Sequence, residues 1–193
     1  MSKSKKRQEI FKKYIEKDFK YWDDFLIKEL NAESDRGAVI LACSLFDIAL
    51  KAKIKSFLVP NTNSNDEIFD DANSPLTTFS AKINMAHRLA IISNNLKTDL
   101  HTLREIRNSF AHNIDECNFE DKEVVISLNK LKDSSNYIER FKGIREECFP
   151  EGNKGDFIML STMLLSTLKS EHTSQLTSAS AEWIYKLEFS APL

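Results

Sequence analysis

The chain has 193 residues, of which 41% are hydrophobic and 29% charged, with 27 Lys and Arg against 29 Asp and Glu and a formal net charge of −2. This size predicts a single domain over residues 1–193, and the balanced charge excludes a global positive field that would hold a nucleic-acid backbone. No apolar run approaches the ~20 residues of a membrane span, and no signal peptide is evident, so we expect a cytoplasmic protein without a membrane contact.

Four helices are predicted in the first 112 residues from apolar side chains at three- and four-residue steps. They run from Lys5 to Leu30, from Asp35 to Phe57 after the N-cap Ser34, from Phe79 to Ile92, and from the N-cap Thr98 to about His112. Residues 61–77 are polar and have no helical period, which predicts a long loop between the second and third helices. Ile68 and Phe69 are the residues expected to anchor this loop.

The remainder of the chain has a weaker helical pattern. Val124 to Ile126 fits a short strand or a helix, of which we favour the helix, with helical continuation through Tyr137 and Phe141. A last helix is predicted from Asp156 through Leu168, with Leu187 as an alternative end. The overall prediction is an all-α helical bundle.

The fourth helix carries an arginine at an unusual position. Leu100, Leu103, Ile106, Phe110 and Ile114 share one apolar arc, and Arg107 lies inside this arc or at its edge. We therefore predict a partly buried guanidinium, which needs acidic or carbonyl partners to offset desolvation. The candidate acidic partners are Glu33, Asp35 and Asp47, and in this interpretation Arg107 clamps the fourth helix to the second.

Three segments carry a family resemblance. Arg107-Asn108-Ser109-Phe110-Ala111-His112 matches the R-x4-6-H motif of the HEPN superfamily of helical bundles. Combined, in this order, with the segments Glu33-Ser34-Asp35-Arg36-Gly37 and Phe79-Ser80-Ala81-Lys82-Ile83, it resembles the mannitol operon repressor (MltR) family, which sits within the HEPN-like group. The resemblance covers about residues 33–112, with weaker agreement over 157–168. One departure is Ala90, where the family pattern leads us to expect Gly.

The resemblance implies an HEPN-like bundle that acts in transcription regulation but lacks a DNA-binding motif of its own. We therefore predict a non-catalytic module that binds another protein. A second copy of the chain and RNA remain open as partners, whereas direct DNA binding is disfavoured because no helix-turn-helix pattern is present. No cofactor is expected, and no His, Cys and carboxylate grouping has the spacing of a metal site.

The alternative implied by the same motif is a toxin-like, metal-independent endoribonuclease. His112 would be the general acid or base, Arg107 would hold the scissile phosphate, and Asn108 would orient either group. Residues five apart on a straight helix point about 140° away from each other. Convergence therefore needs either a helix that ends or kinks near Ala111 or a dimer that joins the motifs of two chains.

Further basic residues fall in the matching segments. Arg36, Lys82 and Arg104 would form an anion-binding or RNA-binding pocket with Arg107 if the helices pack as the resemblance implies. Equally, Asp35 and Asp47 would neutralise them in a buried ion-pair network that fixes the helix register. The sequence leaves both alternatives open.

Overall fold

Every regular element that the structure describes is an α-helix. The structure is a computed structural model that describes residues 19–62, 65–112 and 117–170. Within these ranges the helices are, in chain order, α1 Phe19–Ala32, α2 Asp35–Ser56, α3 Phe79–Arg88, α4 Asn94–His112, α5 Lys122–Ser135, α6 Tyr137–Arg140, α7 Lys142–Cys148 and α8 Gly152–Ser170. The predicted all-α class is confirmed. Residues 5–18 and 171–187 of the predicted first and last helices lie outside the described residues.

Helices α2 and α8 lie at the centre of the bundle. Helix α2 packs against α1, α3, α4 and α8, and α8 also contacts α1, α5, α6 and α7. Helix α8 is buried on most of its circumference, and its buried apolar residues are Phe157, Ile158, Met159, Leu160, Leu164, Leu165 and Leu168. None of the helices in the described ranges combines the length and the hydropathy needed to cross a membrane.

Helix α2 begins and ends close to its predicted boundaries. The Ser34 hydroxyl accepts a hydrogen bond from the Gly37 N–H at 3.1 Å, which satisfies one of the free donors of the first turn. The helix ends at Ser56, and the Phe57 N–H closes it by donating to the Ile54 carbonyl at 3.0 Å.

Helix α3 ends at Arg88, four residues before the predicted end. Ala90 adopts a left-handed conformation with φ of 55°. Its N–H donates to the His87 carbonyl at 3.0 Å, and the Ile91 N–H donates to the Ala86 carbonyl at 2.9 Å. These two bonds form a Schellman cap, which usually carries Gly at the position of Ala90. The departure from the family pattern therefore falls on the residue whose backbone favours glycine.

The start of helix α4 differs from the prediction. The helix begins at Asn94, and the Ser93 hydroxyl accepts a hydrogen bond from the Leu96 N–H at 3.2 Å. Thr98, the predicted N-cap, lies inside the helix, where its hydroxyl donates to the Asn94 carbonyl at 3.1 Å. The prediction was wrong because Ser93, five residues before Thr98, already caps the first turn of the helix.

The predicted long loop is present between α2 and α3 and is fastened to the helix that precedes it. Of the two predicted anchors, only Phe69 enters the core, because Ile68 is 39% exposed. Two ion pairs join loop carboxylates to lysines in the last turns of α2: Lys51 with Asp70, and Lys55 with Asp66 at 2.7 Å. The described part of the loop therefore has a defined path.

The structure decides whether the segment after α4 is a strand or a helix. Residues 124–126 lie in α5, as favoured by the sequence analysis. The predicted continuation of this helix is interrupted at Asn136, which is left-handed with φ of 52°. Tyr137 begins the separate short helix α6, and Phe141 follows its last residue.

Helix α8 begins at Gly152, four residues before its predicted start. In its first turn the backbone of Gly155 passes close to the backbone of Pro150. A Cβ atom on Gly155 would lie 1.7 Å from the Pro150 carbonyl oxygen, so a larger residue does not fit without movement of the backbone. One residue further on, Asp156 accepts a hydrogen bond from Arg145 Nε at 2.6 Å and joins α8 to α7.

Candidate functional site

The residues selected from the sequence lie on and between α2, α3 and α4. These three helices contact one another in pairs. Leu100, Leu103, Ile106 and Phe110 are fully buried, which confirms the predicted core face of α4 within the helix, while Ile114 lies outside the described residues. The candidate residues are Glu33 before α2, Asp35, Arg36 and Asp47 in α2, Lys82 in α3, and Arg104, Arg107, Asn108 and His112 in α4.

Lys82 forms a buried ion pair with Asp47. Lys82 is 3% exposed, and its ammonium group lies 2.8 and 2.9 Å from the two carboxylate oxygens of Asp47 and 3.1 Å from the Thr77 carbonyl oxygen. An ammonium group has three protons, and these three contacts provide an acceptor for each of them. This arrangement supports the ion-pair alternative for Lys82 and Asp47 over the anion-pocket alternative.

The other two acidic candidates lie against α8. Lys154 Nζ donates to the Glu33 carbonyl at 2.6 Å and lies 3.5 Å from Asp35 Oδ1. The cation that these residues engage is therefore a lysine of the last described helix rather than Arg107. Among the described residues, no three His, Cys, Asp or Glu side chains are grouped as metal ligands would be.

Arg107 is exposed, so the predicted partial burial was wrong. It lies close enough to the buried Cys43 of α2 for its charge to act on the thiol, whose hydrogen is donated to the Leu103 carbonyl at 3.7 Å. Burial raises the pKa of Cys43 to about 12, and the Arg107 charge opposes this rise. Arg107 therefore lies on the side of α4 near Cys43 of α2, and its long side chain extends into water.

Asn108 and His112 lie on the same continuous helix as Arg107. Helix α4 passes through Ala111 and includes His112, so it does not break between the two motif residues. Their directions on a straight helix differ by about 140°. Arg107 and His112 are exposed, and Asn108 is half-buried. A single copy therefore presents the arginine and the histidine on different sides of α4, and convergence through a dimer stays a prediction.

A second charged feature of α4 was only partly identified from the sequence. Lys97, His101 and Arg104 follow one another at four- and three-residue spacing and so share one side of the helix, which we call the α4 cationic stripe. His101 Nε2 lies 3.1 Å from Asn84 Oδ1 of α3. The sequence analysis singled out Arg104 alone, although the spacing of the three residues was a usable signal.

The electrostatics of the α4 cationic stripe are unbalanced. Burial lowers the pKa of His101, and the positive charges of Arg104 and Lys97 lower it further, against a smaller opposing effect of Glu105. Glu105 itself lies 3.8 Å from Lys130 of α5. The Nε atom of Arg104 is buried and has no hydrogen-bond partner. The stripe therefore has more donors and positive charge than the described residues around it neutralise.

Arg36 lies in a different environment from the other basic candidates. It lines an open groove of about 380 Å³ along the first half of α2, together with Glu33, Ser34, Gly37, Ile40, Leu41 and Ser44. Ile40 is 42% exposed on this surface. The structure thus distributes the four cations of the predicted pocket over four places: Arg36 in the α2 groove, Lys82 in its buried ion pair, Arg104 in the α4 cationic stripe, and Arg107 beside Cys43.

Comparison with known proteins identifies a related fold. A scan against protein-family models gives no match, and a search of curated proteins gives none either. The structure is similar to a chain of the X-ray structure of the MtlR-HPr complex from Escherichia coli, with a TM-score of 0.55 and 18% sequence identity, over 77% of this chain and 98% of that chain. The chain has an MtlR-like fold. This result agrees with the resemblance found in the sequence at the level of the fold, while the HEPN assignment stays a prediction.

Proposed function

We propose that this chain is an MltR-like transcription regulator that acts by binding another protein and has no catalytic activity or DNA-binding motif of its own. The observation that carries the proposal is its fold, which it shares with a protein solved in a complex with HPr. We take HPr of the same organism as the partner to test.

The arrangement of the motif residues supports a non-catalytic role. Catalysis by Arg107 and His112 would require both groups to face one phosphate, and their directions on the unbroken helix α4 differ by about 140°. Lys82, which would help to hold that phosphate, has its charge neutralised by Asp47 inside the fold. The groups that would form an active site therefore stabilise the bundle or lie apart on its surface.

The binding proposal is tested by isothermal titration calorimetry of the purified full chain with HPr. We expect saturable binding in a 1:1 complex. A small protein of similar size without net charge, added as a control, should give no heat beyond dilution. If HPr gives only the dilution heat of this control, the proposed partner is wrong.

The endoribonuclease alternative is tested separately with mixed single-stranded RNA in the presence of EDTA. We expect the RNA to stay intact with the wild-type chain and with His112→Ala. Cleavage by the wild type that is lost in His112→Ala, with both proteins equally folded by circular dichroism, would overturn the non-catalytic assignment. A gel-shift assay with duplex DNA should give no retarded band at physiological salt concentration.

A further inference from the structure

We propose that the α4 cationic stripe, together with Asn84 of α3, is an interaction surface for an acidic patch of a partner protein. This inference rests on the proposed function, because it assumes that the partner is a protein. It adds the location of the contact and the chemistry of the surface that is recognised.

The first argument is the geometry of the stripe. Lys97, His101 and Arg104 are half-buried in the surface of α4, and Arg104 lies seven positions after Lys97, a rise of about 10 Å along the helix. Asn84 adds an amide group beside His101, with Nε2 of the ring 3.1 Å from its Oδ1. A row of this length matches carboxylates placed two turns apart on a partner helix, since these are separated by the same rise.

The second argument is the unsatisfied hydrogen bonding of Arg104. A buried donor without an acceptor is costly, and guanidinium groups in such positions are usually paired with carboxylates. The Nε atom of Arg104 is buried without a partner, and the nearby carboxylate of Glu105 is directed to within 3.8 Å of Lys130 on α5. A partner carboxylate would satisfy this donor once the Arg104 side chain turns outwards on binding.

The third argument is the mutual repulsion of the stripe. Burial is the largest cause of the lowered pKa of His101, and the positive charges of Arg104 and Lys97 lower it further by disfavouring the protonated form. Partner carboxylates would offset this repulsion and favour the protonated imidazole. Binding of an acidic surface should therefore raise the pKa of His101, an effect that binding elsewhere on the chain would not produce.

The proposal is tested with a fluorescein-labelled 20-residue poly-L-glutamate peptide, titrated with the full chain at low salt and followed by fluorescence anisotropy. We expect Arg104→Gln to weaken the binding at least about threefold, as the loss of one ion pair does. Lys97→Gln should have a similar but smaller effect. Lys28→Gln removes one exposed positive charge from α1 and serves as the matched control, with affinity unchanged.

Two further readouts decide the outcome. In a pH titration by NMR, saturating peptide should raise the pKa of His101. If Arg104→Gln binds poly-L-glutamate as tightly as Lys28→Gln, or if the pKa of His101 does not rise, the proposed surface is wrong. If a single-stranded RNA of 20 nucleotides binds in an Arg104-dependent manner while the peptide does not, the occupant is RNA and the proposal is also wrong.

These results are separable from those of the proposed function. Peptide binding at the stripe without HPr binding would retain the surface and reject HPr as the partner. HPr binding that is unaffected by Arg104→Gln and Lys97→Gln would retain the partner and reject the surface.

Discussion

The buried ion pair between Lys82 and Asp47 makes the sharpest prediction, because the two partners differ greatly in burial. The side chain of Lys82 is 4% exposed and that of Asp47 is 34% exposed. Asp47→Ala leaves a buried ammonium group with only the Thr77 carbonyl as an acceptor. Removing one partner of a buried pair costs about 3–5 kcal/mol, and the partial exposure of Asp47 places the expected loss near the lower end, at about 3 kcal/mol.

Replacement of the other partner, Lys82, should cost much less stability. Lys82→Met keeps an apolar stem of similar length in the core, and the carboxylate of Asp47 regains water through its exposed third. We expect a loss of about 1 kcal/mol. The double variant should lose less than the sum of the single variants, because neither charge then remains unpaired.

These values are measured by urea unfolding followed by far-UV circular dichroism at pH 7, with the slope m checked for constancy. Lys28→Met, on the exposed face of α1, serves as the control for lysine replacement and should change the free energy of unfolding by less than about 0.5 kcal/mol. The interpretation of Lys82 and Asp47 as a stabilising buried ion pair is refuted if Lys82→Met costs as much as Asp47→Ala, or if both cost no more than the control.

Four further substitutions, one of them a control, test the helix boundaries and the buried carboxyl of Asp99. Gly155→Ala should destabilise the fold by about 3 kcal/mol because the added Cβ would lie 1.7 Å from a carbonyl oxygen, whereas Gly143→Ala, with no atom within 4 Å, should be neutral or stabilise by up to about 1 kcal/mol. Ala90→Gly should raise the thermal midpoint, since relief of about 1–2 kcal/mol of left-handed strain exceeds the entropy cost of about 0.4–1 kcal/mol. Burial raises the pKa of Asp99 above its ordinary 3.8. Its carboxyl therefore favours folding most below about pH 4, and this contribution is lost as the pH rises through the raised pKa. Asp99→Asn should consequently gain stability relative to the wild type between pH 4 and pH 7.

Each of these predictions has a contrary result. Equal unfolding midpoints for the two glycine variants would contradict the close approach at Gly155. A lower midpoint for Ala90→Gly would show that the left-handed cap carries no strain. A stability difference between Asp99→Asn and wild type that is constant or falls from pH 4 to pH 7 would contradict the raised pKa of Asp99.

The parts of the core that depend on the spacing of apolar residues within one helix were predictable from the sequence. The apolar face of α4 and the N-cap of α2 depend on residues within one or two turns of each other, and both were predicted correctly. Helix ends were less predictable where a backbone conformation or an earlier cap decides them. Ala90 ends α3 through a left-handed residue, which alanine does not signal, and Ser93 starts α4 before the expected N-cap.

The sequence determined the helical class, the polar loop and the residues worth examining, because side-chain periodicity and charge are properties of short segments. The tertiary structure decided what those residues do. It pairs Lys82 with Asp47 across 35 positions of the chain, directs Lys154 to the start of α2, and leaves Arg107 exposed near Cys43. Desolvation and ion pairing depend on which surfaces meet in space, and periodicity along one helix contains no information about its neighbours.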